Sequence, residues 1–219
     1  MKTPFIWLGS GRAKKWGVAE KGQRLDAAAK AGLPVPAGAI LLDELFQLLW
    51  DEGVVKEENG RITATSPEWL YETLYQSVRF PHLDKPAALR AANAATAMPQ
   101  LAVDFSHPVY LSNSLCELWS RLDGQRRDVL VMEMVDGDWR GTAVTTSAYH
   151  HDTITIPDEP PISLPQLKRW QRPDSSLAPH LQRLQLLLRG VRRTFGRGDW
   201  HIDWLNDGRI CWLLQIQAV

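Results

Sequence analysis

Cysteine is scarce in this 219-residue chain: only Cys116 and Cys211 occur, far apart and outside any CxxC or Cys/His spacing. That excludes a disulfide scaffold and a cysteine-based zinc site, and it fits a reducing, cytoplasmic setting. There is no excess charge of either sign, since 25 Lys+Arg balance 25 Asp+Glu. The zero balance speaks against nucleic acid as a partner of the chain as a whole, while leaving room for a local basic face. Long apolar runs are missing too. The first ten residues offer only Phe5-Ile6-Trp7-Leu8, too short for a signal segment, and no stretch approaches a membrane span. No membrane association is expected. A composition of 44% hydrophobic and 23% charged residues excludes a disordered or collagen-like chain.

Tryptophan is abundant, at ten. Core or lobe-interface positions are expected for most of them, because a large ring is best buried with its N–H partnered. Leu25, Ala28 and Ala29 make an apolar stripe over Glu20 to Ala31, a helix stopped by Gly32 and Pro34. Asp43 is expected to cap a helix reaching Trp50. Residues 51–66 read as a polar turn with at most one short strand. Ser66-Pro67 opens a helix running through Leu74 and Val78. Asp84-Lys85-Pro86 opens another through about Met98, on the strength of its alanine run. Val109-Tyr110-Leu111 reads as a strand and Ser114 to Leu122 as a helix.

The second half reads as mostly strands. These are Asp128 to Val135, Gly141 to His150, Asp152 to Pro157, Trp200 to Trp204 and Arg209 to Ile216. Asn206-Asp207-Gly208 is a hairpin turn signal between the last pair. The stretch 157–179 reads as a loop with one helical turn near Leu167. Pro179 to Phe195 is the strongest helix, with Leu181, Leu184, Leu187, Leu188, Val191 and Phe195 at helical spacing. The fold class is α+β with antiparallel sheet, in approximate lobes 1–127 and 128–219.

Three stretches carry a family resemblance. They are Glu20-Lys21-Gly22 with Gly32-Leu33-Pro34-Val35-Pro36-Ala37-Gly38; Val129 to Val135 with Gly141 to Thr146; and His201-Ile202-Asp203-Trp204 with Leu213-Leu214-Gln215. Together they resemble the N-terminal ATP-binding domain of phosphoenolpyruvate synthase and pyruvate phosphate dikinase. The resemblance implies a shortened, two-lobed ATP-grasp-like domain with a cleft between the lobes, and ATP and Mg²⁺ as the ligands. It places Lys21 on nucleotide phosphates, with Glu20 where a glycine is usual. Glu133 falls in the strand beside the adenine. Arg140 lies in Asp136-Gly137-Asp138-Trp139-Arg140-Gly141, a segment similar to a mobile phosphate-covering loop. Asp203 and Gln215 fall on the metal side of the nucleotide.

The sequence also departs from the pattern. Leu111 stands at the expected arginine of an Arg-Ser-Ser string, with Arg121 or Arg140 as possible substitutes. Gln217 replaces a second arginine, and Asp203 replaces a glutamate. A hydrogen bond to a charged group contributes on the order of 1.5–3 kcal/mol, so two lost arginines would cost about 3–6 kcal/mol. Mg²⁺ tolerates displaced ligands poorly. The chain ends at Val219, where the family domain ends, so the expectation is that the full dikinase reaction needs another chain. Three readings follow. One is a degenerate nucleotide-binding domain acting with a protein partner. Another is an active phosphotransferase subunit whose acceptor lies on a second chain. The last is an assembly subunit without nucleotide. No catalytic residue is assigned.

Two further clusters stand out. His150-His151-Asp152 suggests a metal, but adjacent histidines on a strand point to opposite faces. Arg183, Arg189, Arg192, Arg193 and Arg197 crowd the last helix. They can serve an acidic partner or nucleic acid, or simply form a solvated face with cations at the helix C-terminus.

Overall fold

In the computed structural model, residues 3–83, 85–92, 100–122, 126–196 and 198–219 are described. The chain divides into two compact units, Met1–Gln23 with Ala37–Met134, and Arg24–Pro36 with Val135–Val219.

The first unit is built on strands β1 (Phe5–Trp7), β2 (Gly38–Leu41), β5 (Ala87–Ala91), β6 (Gln100–Val103) and β7 (Val129–Glu133), in the order β1-β2-β7-β5-β6. Every neighbouring pair is antiparallel. Ala39, Leu41, Ala87, Leu89, Val129 and Val131 share one core with helices α2 (Asp43–Asp51), α3 (Pro67–Glu72) and α4 (Pro108–Ser120). Alternation turns Ile40, Ala88, Arg90, Leu130 and Met132 to the other face. Helix α1 (Glu20–Lys30) begins against that second face, where a Cβ on Gly22 would lie 3.4 Å from Ile40 Cδ1 and 3.5 Å from Ala92 Cβ. Gly38 permits no side chain at all, because a Cβ there would overlap the Val131 carbonyl. The glycine closing the Leu33–Gly38 string is therefore fixed by strand packing.

Several local expectations change. Residues 55–64 form a hairpin of two strands, β3 (Val55–Glu58) and β4 (Arg61–Ala64). The segment from Asp84 contains strand β5 at its centre; Asp84 and 93–99 lie outside the described residues. Alanine propensity yields here to strand pairing with β7. Val109-Tyr110-Leu111 is helical, because Pro108 starts α4 and its stripe Leu111, Leu115, Leu118 is buried. Ser66 accepts from the Trp69 N–H at 3.3 Å and caps α3 as expected, after which Thr73–Ser77 continues as a π-helical turn. Asp43 is not a cap. It is the first residue of α2, and its N–H donates to Asp128 Oδ1 at 2.8 Å. Asp128 is in turn paired with Arg126.

The second unit is an antiparallel sheet of β8 (Trp139–Thr145), β9 (His151–Thr155), β10 (Ile162–Pro165), β11 (Trp200–Asn206) and β12 (Cys211–Ala218), in the order β10-β9-β8-β11-β12. Strand β10 occupies part of the expected loop. Helix α5 (Pro179–Phe195) covers one face, with Leu184, Leu187, Leu188 and Val191 buried. On that face lie Ala143, Ile154, Ile202, Trp204, Leu213 and Ile216. The polar anchors of α5 confirm the orientation. Arg192 donates to Thr145 Oγ1 at 3.0 Å and to Asp152, and Arg183 donates to Asn206 Oδ1 at 3.1 Å. Asp207 closes the β11–β12 hairpin, accepting from the N–H groups of Arg209 and Ile210 at 2.8 and 2.6 Å.

The tryptophans do not follow the expectation of burial. Trp119 and Trp204 are fully buried, whereas Trp7, Trp50, Trp69, Trp139 and Trp170 are exposed. No helix among the described residues is long and apolar enough to cross a membrane.

Candidate functional site

The face of the second sheet opposite α5 carries the residues of interest. Thr142, Asp203 and Gln215 are direct cross-strand partners on β8, β11 and β12. Side chains so placed lie roughly 4.5–5.5 Å apart at Cβ. Gln215 reaches this row through a β-bulge. Asp203 pairs with Gln215, the next residue Trp204 pairs with Leu213, and Leu214 is the extra residue. Strict alternation from the buried Leu213 would turn Gln215 toward α5 and Ile216 away from it. The extra residue returns Ile216 to the core and sets Gln215 beside Asp203. Bulges commonly re-aim side chains in this way at functional sites.

Two positions along β11, His201 shares the face, with Nδ1 3.8 Å from Asp203 Oδ1. That distance is beyond a hydrogen bond, and His201 Nδ1 is buried with no hydrogen-bond partner among the described residues. Gln215 Nε2 donates to Gln217 Oε1 at 3.3 Å. Arg140 lies on the same face, opposite Leu205 and two residues from Thr142. It belongs to strand β8 rather than to a loop. Arg140, Asp203 and Gln215 are thus brought together within one unit.

The donor set is one carboxylate with amide and hydroxyl oxygens. Mg²⁺ is usually held by one or two carboxylates plus substrate phosphates, keeping several waters. The row suits a cation delivered with a nucleotide better than a resident one. Among the described residues no group of three or more His, Cys, Asp or Glu is placed to hold a metal.

Lys21 and Glu133 belong to the first unit. Lys21 stands in the first turn of α1, next to the Gly22 that packs on Ile40 and Ala92. Glu133 ends β7 on the parity of Val129 and Val131, the helix-covered face. Leu111 is fully buried in α4 and cannot stand at a phosphate position. The cation overlooked in the sequence is Arg90. It is half-buried on β5 and aligned with Leu130 and Ile40 across the sheet, on the face where α1 begins. The available signal was the string Arg90-Ala91-Ala92, an arginine followed by two small residues. The helical reading of the alanine run hid it. Thr142 and His201 were also missed, since neither has a sequence spacing of its own.

No protein-family model matches the sequence, and no curated protein matches it. Solved structures do match. D-alanine–D-alanine ligase from Bacillus anthracis shares 10% identity and aligns over 97% of this chain and 58% of its own length, with TM-score 0.50. The same ligase complexed with ATP gives 10% identity, 96% and 56% coverage, and TM-score 0.51. The Helicobacter pylori D-alanine–D-alanine ligase gives 12% identity, 87% and 51% coverage, and TM-score 0.51. The chain spans between half and three-fifths of these ligases. The fold is that of a shortened ATP-grasp-like α+β domain. The likeness is one of fold alone, and none of these three neighbours is a phosphoenolpyruvate synthase or a pyruvate phosphate dikinase.

Proposed function

We propose that this chain is a nucleotide-binding domain of ATP-grasp type, related to the ATP-binding domain of phosphoenolpyruvate synthase, with weak catalytic power, acting with a protein partner. The observation that carries the reading is the bulge at Leu214, which places Gln215 opposite Asp203. In the second unit, Asp203 and Gln215 serve as ligands for the Mg²⁺ that accompanies ATP, and Arg140 supplies a cation on the same face. In the first unit, Lys21 and Arg90 serve as phosphate cations, with Arg90-Ala91-Ala92 taking the place of the Arg-Ser-Ser string. Mg²⁺ would neutralise part of the phosphate charge.

Arg90 lessens the expected degeneration without removing it. Gln217 still stands where an arginine is usual, and Asp203 is the one carboxylate of its row. A lost arginine contact of about 1.5–3 kcal/mol corresponds to about one to two decades in affinity or rate. The five exposed tryptophans support a protein partner, since tryptophan is a common interface anchor. Calorimetric titration of the chain with MgATP tests the reading. Saturable binding that weakens on chelation of Mg²⁺ and in Lys21→Ala and Arg90→Ala is expected. No heat at saturating MgATP would overturn it in favour of an assembly role.

A further inference from the structure

Of the arginines at the last helix, Arg183 bonds Asn206, Arg189, Arg192 and Arg193 border a cleft, and Arg197 lies outside the described residues. Arg189, Arg192 and Arg193 meet Lys168, Arg169 and Arg172 of the segment after β10 around a single cleft of about 1210 Å³ in the second unit. Among the described residues no aspartate or glutamate lines it. It exceeds the roughly 300–1,000 Å³ of ordinary small-molecule pockets, which suits an extended ligand.

Arg192 is neutralised by Asp152, at 2.7 Å, and forms the buried floor. The other five cations have no carboxylate within ion-pair distance among the described residues. Arg189 Nη1 donates to the Gln171 carbonyl at 2.7 Å, which holds its guanidinium against the wall. Five unpaired like charges are thus concentrated in a chain of zero net charge. Their mutual repulsion is relieved by a polyanion.

The cleft also holds Trp170, 85% exposed, and Tyr149, 70% exposed, the two most exposed aromatic rings among the described residues. The Arg169 guanidinium lies over the Trp170 ring, 5.0 Å from its centroid. One ring face is covered by a cation and the other is open to a planar group. We propose that this cleft binds single-stranded nucleic acid, the five cations meeting phosphates and the two rings stacking bases. An acidic peptide would use the charges and leave both rings idle; a duplex keeps its bases stacked internally. Because α5 and the Asp203–Gln215 row occupy opposite faces of the sheet, the cleft is separate from the nucleotide ligands proposed above.

Fluorescence anisotropy of the full chain with a labelled oligothymidylate of about 15 nucleotides tests this. Saturable binding is expected, weakening about 130-fold between about 50 and 200 mM salt if five phosphates are contacted. Trp170→Ala is expected to lose about tenfold in affinity through its lost stacking. Arg172→Glu/Arg193→Glu, both exposed, is expected to abolish oligonucleotide binding and leave MgATP binding unchanged. Absence of saturable binding at low salt overturns the proposal. So does displacement of the oligonucleotide by poly-glutamate as readily as by unlabelled oligothymidylate. Unaltered affinity in Trp170→Ala overturns it as well, since only a charged patch would remain.

Discussion

Asp203 and Gln215 stand directly opposite each other on β11 and β12, and the pairing exists because Leu214 is an extra residue between two core positions. A carboxylate and an amide oxygen are thereby held side by side on strands fixed by the buried Trp204, Leu213 and Ile216. Removing the one charge in this row should affect the metal-dependent part of nucleotide binding. Asp203→Asn is expected to reduce the gain in ATP affinity from Mg²⁺ at least about tenfold, as metal-site substitutions do. Calorimetry with and without Mg²⁺ measures this directly. An unchanged Mg²⁺ effect would remove Asp203 from the metal role.

Gly38 lies under the Val131 carbonyl, so any side chain there forces β2 away from β7. Gly38→Ala is expected to destabilise the chain by about 1–3 kcal/mol or more, the range for overpacking. Denaturant unfolding checks it. A neutral result would mean that the β2–β7 pairing yields at no cost.

The Asp152–Arg192 pair is buried, with side chains 1% and 11% exposed, and Gln166 donates to the same carboxylate at 2.9 Å. Removing one partner leaves an uncompensated buried charge, a loss of roughly 3–5 kcal/mol. Asp152→Ala should therefore cost far more stability than the double variant Asp152→Ala/Arg192→Met. Equal losses in the single and double variants would show that the pair is not coupled.

His180 is stacked on Trp139 with ring centroids 3.9 Å apart. Burial pushes its imidazole below the ordinary value of 6.5; the Glu159 carboxylate opposes the shift and the Arg183 cation adds to it. The folded chain favours neutral His180. Its contribution to stability is full above the unfolded value and falls away as pH drops through that value. Melting temperature should decline between about pH 7 and 5 more steeply in the wild type than in His180→Phe, which keeps the ring stack. Parallel curves would contradict this.

Much of the second unit was legible because its signals are local. Helical spacing marked α5, and Asn206-Asp207-Gly208 marked the final hairpin, where Asp207 does accept the turn N–H groups. The first unit was harder. Arg90 sits in an alanine-rich stretch with high helix propensity, and only pairing with β7, remote in sequence, makes it a strand. Asp43 looks like a cap and is instead capped by Asp128, again a long-range partner. The placement of Gln215 depends on a bulge, which no alternation rule shows. The arginines of α5 fit a solvated face on their own helix; the segment after β10 turns them into a cleft.

The metal role of the Asp203–Gln215 row is tested most directly by paramagnetic broadening. Amide and side-chain NMR signals would be recorded while MnATP is titrated into the chain. Early broadening is expected at Thr142, Asp203 and Gln215, with the α5 cleft around Arg193 unaffected. Broadening centred elsewhere, with the signals of Thr142, Asp203 and Gln215 intact at saturation, would contradict the assignment.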